Sequence, residues 1–408
     1  MKIDDKTSHN SPSIRFPEFT GEWEKCKLGT LATKVGSGST PKGGDAVYTS
    51  IGHYFVRSQN VGMGFLMLDN IAHINDDIHQ KHKATEIYEN DVLLNITGAS
   101  IGRTAVATKE LEGGNVNQHV CIIRTNSKVN PKFLCDYIQT QRIQNHIKSL
   151  QTGGSREGLN FEQIRSFPIS LPSINEQNKL TCLLDKINER IATQVRLIDR
   201  LQSLIKGIMV KLQQQGLSKG TWKRVPLSSI LKERTELNEG LLPVYSVSVS
   251  QGVVNQMEYL GRSFAAKDTS KYHVAHFGDL IYTKSPTGSF PYGIVKQNSN
   301  RYKVAVSPLY GVYTPANYFT GVFLQEYFKS EVNTFNYLHS LIQKGAKNTI
   351  NITNQRFLDN YILIPTDSND LQQISNLLLR LNAKKDLMQN MLQQYQEQKQ
   401  YLLRQMFI

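Results

Sequence analysis

Residues 175–216 read NEQNKLTCLLDKINERIATQVRLIDRLQSLIKGIMVKLQQQG, and their apolar spacing decides the architecture of the chain. Leu180, Leu184, Ile187, Ile191, Gln194, Ile198, Leu201, Ile205, Ile208 and Leu212 step by four and three in strict alternation. That is a coiled-coil seam with one polar interruption, Gln194. It predicts one helix from about Glu176 to Gln215, with Gly216 as its cap and Ser218-Lys219-Gly220 as a linker. A second stretch, about Asp370 to Met406, repeats the spacing with Ile374, Leu378, Leu381, Lys385, Met388, Leu392, Tyr395, Lys399, Leu402 and Met406. Lys385 and Lys399 weaken that seam. Either stripe alone would lie in water, so the helices are expected to pair. The pairing residues would be Leu184, Ile187, Ile191, Ile198, Leu201 and Ile205 against Leu378, Leu381, Met388, Leu392 and Leu402. Forty helical residues make a rod of about 60 Å, longer than the ~34 Å of one DNA turn.

Outward from the helices, the chain repeats itself. Leu171-Pro172 precedes the first helix and Ile364-Pro365 the second. About 150 residues before each pair, at the repeat scale of tandem architectures, stands a tryptophan: Gly21-Glu22-Trp23 in one half, Gly220-Thr221-Trp222 in the other. No other tryptophan occurs. The expected organisation is a globule over 1–172, a helix over 173–216, a second globule over 217–366 and a second helix over 367–408. Within the first globule, Asp91 to Ile96 and Val120 to Ile123 read as strands and Pro131 to Ser149 as a helix. The second repeats the order with Asp279 to Tyr282, Leu309 to Tyr313 and Tyr318 to Tyr337. The fold class is α+β, a pseudo-symmetric tandem of two globules separated by two long helices.

Composition narrows the function. The formal net charge is +13, with +2 in residues 1–172 and +7 in 217–366, a balance that favours a polyanionic partner. The four cysteines stand far apart with no C-x-x-C pair, so neither a disulfide framework nor a zinc site is signalled. His79 and His82 read as surface histidines. The N-terminus lacks an apolar h-region, and no run reaches the ~18 apolar residues of a membrane span. A cytoplasmic, membrane-free location is expected. No G-x-x-x-x-G-K-[ST] or strand-borne G-x-G-x-x-G occurs, nor an Asn-Pro-Pro-Tyr-type methylation motif. Neither ATP hydrolysis nor methyl transfer is expected of this chain, and no metal or cofactor site is assigned to it.

What the globules do carry is polar, Gly-rich loops at matching places. Short polar side chains and backbone amides suit phosphate, while Arg, Lys, Asn and Gln suit base edges. The candidate DNA-contacting residues of the first half are Thr40, Lys42, Arg57, Ser58, Gln59, Asn60, Thr97, Ser100, Arg103, Asn117, Gln118 and Arg156. Those of the second are Ser246, Ser248, Lys267, Lys271, Tyr272, Lys284, Ser289, Tyr292, Arg301, Lys347 and Asn348. Two rival readings stand beside this one. One is a self-sufficient nuclease using Asp386 and Glu397; the other is a nucleic-acid-binding coiled-coil scaffold.

The order of these features resembles the specificity subunits of type I restriction-modification systems. The resemblance rests on Arg15-Phe16-Pro17-Glu18-Phe19, Gly21-Glu22-Trp23 and Lys27-Leu28-Gly29, and on Asn90 to Leu94 and Gly278 to Ile281 before their loops. It rests also on Leu-Pro-x-x-x-Glu-Gln at Leu171 to Gln177, which the second half replaces by Ile364 to Asp370. It implies two target recognition domains held apart by antiparallel helices, each reading half of a bipartite double-stranded DNA sequence. It implies no catalysis by the chain itself. Two adenine methyltransferase subunits and two ATP-dependent translocase-endonuclease subunits would be its partners, carrying S-adenosylmethionine, ATP and Mg²⁺.

Overall fold

A computed structural model describes residues 10–151, 158–240, 242–262, 265–344 and 350–408. The chain divides into two compact units: Met1–Gln194 with Met391–Ile408, and Val195–Asn390. Each unit therefore contains one globule and one half of each long helix.

In the first unit Ala32–Ser37, Val120–Thr125, Val92–Asn95 and Thr104–Val106 lie side by side in that order, every pair antiparallel. Successive residues of a strand face opposite ways, and both faces of this sheet are covered. Val92, Leu94, Cys121 and Ile123 enter one core with the helices, while Leu93 and Ile122 enter a second core with Val56, Val61 and Leu111. That explains the unbroken apolar run Val92-Leu93-Leu94. Glu24–Lys27 pairs with Pro168–Leu171, which ties the opening of the globule to its last strand.

The second unit has the same sheet: Leu231–Glu233, Gly311–Pro315, Leu280–Tyr282 and Val295–Gln297, again all antiparallel. Leu280, Tyr282 and Tyr313 face one core, Ile281 and Val312 the other. Trp222–Pro226 pairs with Tyr361–Pro365. Trp23 meets Phe133 edge-on at 6.0 Å and Trp222 meets Phe323 edge-on at 5.6 Å, so each tryptophan anchors the opening strand to the same helix of its unit.

The sequence predicts one helix after the central strand of each globule; each is two. Pro131–Gln139 ends at Thr140, whose backbone is extended and whose Oγ1 donates to the Tyr137 carbonyl at 2.7 Å; Gln141–Gln151 then begins. Tyr318–Phe328 likewise gives way to Glu331–His339, where Ser330 caps the new helix by accepting from the Asn333 amide at 3.3 Å. Apolar periodicity continued across both breaks and hid them. Local side-chain hydrogen bonds of Ser and Thr won.

The long helices are Ile174–Ser218 and Ser368–Gln405. In the first unit Leu180 and Leu184 share a core with Leu403, Met406 and Phe407. In the second, Leu201, Ile205 and Met209 share one with Leu371 and Leu378. The beginning of one helix thus meets the end of the other, an antiparallel coiled coil. Two details depart from expectation. Met209, not Ile208, is buried, because a 3.6-residue turn drifts from a 3.5-residue repeat. Gly216 is no cap: it lies inside the helix, where a Cβ would stand 2.0 Å from Trp222 Cδ1.

Lys399, expected to weaken the seam, is only 8% exposed, and its Nζ donates to Gln139 Oε1 at 2.9 Å. Gln139 Nε2 in turn donates to Asp136 Oδ1 at 3.2 Å. Burial pushes the Asp136 carboxyl up to about 7, against the opposing pull of Lys399. The folded value lies above the unfolded one, so the native state holds the extra proton and stability falls as pH rises from about 4 through 7. Asp136→Asn should remove that slope. Thermal melts at pH 5 and pH 8 should show the variant gaining over the parent at pH 8, by at least the ~1.4 kcal/mol of one pKa unit, with the gain shrinking at pH 5.

Candidate nucleic-acid interface

The loops are held by a device used twice. Asp91 and Asp279 each precede the inner strand of a sheet, and each is 1% exposed. The residue before each, Asn90 at φ +70° and Gly278 at φ +89°, is left-handed, a turn that Asn and Gly tolerate. Arg124 grips Asp91 with Nε to Oδ1 and Nη2 to Oδ2, both 2.8 Å. Arg234 grips Asp279 with Nε to Oδ2 at 2.6 Å and Nη2 to Oδ1 at 3.2 Å. Each carboxylate also accepts an amide three residues upstream, Tyr88 at 2.8 Å and His276 at 2.7 Å. The start of the inner strand is thereby clamped, and the loop follows from its other end.

At that other end in the first unit, three segments meet in a polar chain. Thr40 Oγ1 donates to Gln118 Oε1, Gln118 Nε2 lies 2.9 Å from His119 Nε2, and His119 Nδ1 lies 2.6 Å from Thr97 Oγ1. Gln118 Nε2 can only donate, so a neutral His119 carries its proton on Nδ1 and gives it to Thr97. Thr40 and Gln118 are exposed, while His119 and Thr97 are half-buried. The turn is rigid beneath them. Asn117 Oδ1 accepts the His119 amide at 3.0 Å, and the Gly38 amide donates to the Asn117 carbonyl at 3.1 Å. An amide, an imidazole and two hydroxyls held in fixed orientation suit base edges and phosphate. His119 is absent from the candidate residues, although it adjoins Gln118.

The remaining first-half candidates divide by burial. Lys42, Gln59 and Arg103 are exposed, and Ser58 and Ser100 are half-buried. Two candidates are corrected. Asn60, 3% exposed, accepts the Arg57 amide at 3.0 Å and donates to the Met67 carbonyl at 2.9 Å, and Asn117 is spent on its own turn. Arg57 lies over the Tyr48 ring at 5.3 Å, its Nε buried with no partner among the described residues. Arg156 lies outside the described residues.

In the second unit Lys267, Lys271 and Arg301 are exposed. Lys284, half-buried at φ +57°, follows the inner strand, and desolvation holds its ammonium below the usual lysine range. Ser246 accepts from Gln256 Nε2 at 3.2 Å, and the Tyr272 hydroxyl accepts the Ala266 amide at 3.1 Å. One candidate is turned inward: Ser248, 6% exposed, lies 3.2 Å from the Tyr259 hydroxyl. Ser289 is exposed and donates to Glu331 at 2.6 Å, and the half-buried Tyr292 ring packs against Phe335. Lys347 and Asn348 lie outside the described residues.

Along the helices Leu184, Ile187, Ile198, Leu201, Ile205 and Leu378 are buried, and Ile191, Leu381, Met388, Leu392 and Leu402 are half-buried. Asp386 has a 67% exposed side chain 3.9 Å from Lys385, and Glu397 accepts from Gln393 at 2.8 Å. Among the described residues no group of three or more His, Cys, Asp and Glu is arranged to hold a metal ion. His79 departs from its surface assignment. It is 2% exposed, stacked on His53 at 3.8 Å and bonded to Asn115 at 2.8 Å. Among the described residues no helix is long and apolar enough to cross a membrane.

Residues 20–203 match the family described as Type I restriction modification DNA specificity domain. The chain is similar to the Type I restriction enzyme EcoBI specificity subunit of Escherichia coli, 24% identical over 163 residues, 38% of this chain and 34% of that one. It is similar also to the putative type I restriction enzyme MjaX specificity subunit of Methanocaldococcus jannaschii, 21% identical over 212 residues, 51% of this chain and 49% of that one. The matches thus span a third to a half of those relatives' lengths. The solved S subunit of a type I restriction-modification system from M. genitalium is alike in fold over 98% of this chain and 99% of its own, with a TM-score of 0.62 at 13% identity.

Proposed function

We propose that this chain, a member of the type I restriction-modification specificity family through residues 20–203, is the sequence-reading subunit of such a complex. It recognises an asymmetric two-part DNA target, one part per globule, and directs adenine methylation and ATP-dependent restriction by partner subunits. Two methyltransferase subunits and two translocase-endonuclease subunits are the partners assigned to it, and S-adenosylmethionine, ATP and Mg²⁺ belong to them. One observation carries the reading. The two sheets share strand order, clamped aspartate and tryptophan anchor, yet the loops they hold differ in residue type and charge. A shared frame with unlike loops is what reading two unlike half-sites requires.

The test is an exchange of residues 1–172 for those of a relative with a different target, in cells that supply the methyltransferase subunits. Profiling methylated adenines should show one half of the target replaced and the other kept. A change in both halves, or in neither, would sink the modular reading. In the unexchanged complex, alanine at Arg103 should weaken DNA binding through the first half-site and alanine at Lys284 through the second. Losing one cationic DNA contact in each case should lower the slope of affinity against salt by about 1.

A further inference from the structure

The register of the two sheets places Leu309 where the first unit has His119. Asp91 precedes Val92, which pairs with Ile123; Asp279 precedes Leu280, which pairs with Tyr313. Four residues before those partners stand His119 and Leu309. The turns agree as well. The His119 amide donates to Asn117 Oδ1 at 3.0 Å and the Leu309 amide to Ser307 Oγ at 3.3 Å, while the Val120 and Tyr310 amides donate to the Asn117 and Ser307 carbonyls at 3.4 and 3.0 Å. One turn is thus built twice, with an imidazole at its third position in one unit and an isobutyl group in the other.

Isolated exposed leucines are common on protein surfaces, but this one is 71% exposed at the counterpart of a polar contact point. Pro308 fixes the backbone just before it, and Lys284 leaves the neighbouring strand on the same edge of the sheet. The one apolar group on the major-groove edge of the standard base pairs is the C5-methyl of thymine. Resting on the DNA-reading function proposed above, we infer that Leu309 is a specificity-determining residue of the second half-site, packing against a thymine methyl.

The experiment uses the complex assembled with its methyltransferase subunits and duplexes carrying its profiled target. Each thymine of the second half-site is replaced in turn by uracil, which lacks only the methyl. One replacement should weaken binding about fourfold, the value of one methyl's burial. That loss should vanish in Leu309→Ala and persist in Leu309→Met. The side chain is exposed, so both variants should melt with the parent. The inference is overturned if the second half-site holds no thymine, if no uracil position matters, or if the uracil effect survives in Leu309→Ala. It is overturned too if Leu309→Ala impairs subunit assembly while leaving that effect intact. A complex that prefers no DNA sequence would instead overturn the functional reading on which the inference rests.

Discussion

Replacing Arg124 by methionine should cost the first unit about 3–5 kcal/mol, because it leaves a carboxylate buried without its counter-ion. Asp91 is 1% exposed, and the guanidinium supplies two of its hydrogen bonds; the Tyr88 amide supplies another. Water cannot take over at that depth. Arg234→Met should do the same to the second unit through Asp279, and it also forfeits the 2.8 Å bond to Thr314. The two tryptophans make the result readable unit by unit, since Trp23 is buried in one and Trp222 in the other. With the other tryptophan changed to phenylalanine, the transition seen by Trp23 should fall by about 10 °C in Arg124→Met, and the transition seen by Trp222 should stay. Adding Asp91→Leu to Arg124→Met should recover most of the loss, since an apolar pair of similar volume replaces the stranded charge. An undiminished loss in the double variant would show that the arginine acts through its 3.6 Å contact with the Tyr88 ring.

Gly38→Ala should act on stability and on DNA reading together. A Cβ at this position would stand 1.7 Å from the Val116 carbonyl oxygen and 2.7 Å from its carbon. Backbone cannot swing aside as a side-chain end can, and Val116 is pinned by its parallel pairing with Val56. The strand end or the turn at Asn117 must move, at a cost of about 3 kcal/mol, the upper part of the range for overpacking. The same turn orients Gln118 and His119, so under the DNA-reading function proposed above the first half-site should lose at least about tenfold in preference over a single mismatch, the value of one misread base pair. Gly36 supplies the control. Nothing lies within 4 Å of a Cβ there, so Gly36→Ala should leave both measurements unchanged. Binding to targets mismatched in one half at a time, with Trp23-monitored melting, checks both effects. If Gly38→Ala melts normally and reads its target normally, the packing account of this turn is wrong.

Much of the frame is legible in the sequence. The four-three spacing of Leu180 through Leu212 specified a long helix and a partner for it, because a stripe of that length is unstable in water. The Val92-Leu93-Leu94 run and its counterpart at Leu280 read as strands, and the structure adds that both are covered on both faces. The candidate interface was legible only by segment. Gln118 is exposed and Lys284 half-buried, yet Asn60 and Ser248, equally polar and equally loop-borne in the sequence, are turned inward. Polarity identifies a residue that must find a partner; it does not say whether the partner is a backbone carbonyl or a base.

The sequence by itself determined the two long helices, the inner strands and the twofold frame, since these follow from apolar periodicity and from residues a few places apart. Tertiary structure alone decided matters between distant segments. Gly216 looked like a cap and is a seat for Trp222; Lys399 looked like a flaw in a seam and is a buried donor to Gln139. His119 and Leu309 became counterparts only when strand register aligned two loops of unrelated sequence. Local pattern reports which surface a residue must hide, whereas the choice of neighbour is made by chain segments tens to hundreds of residues away.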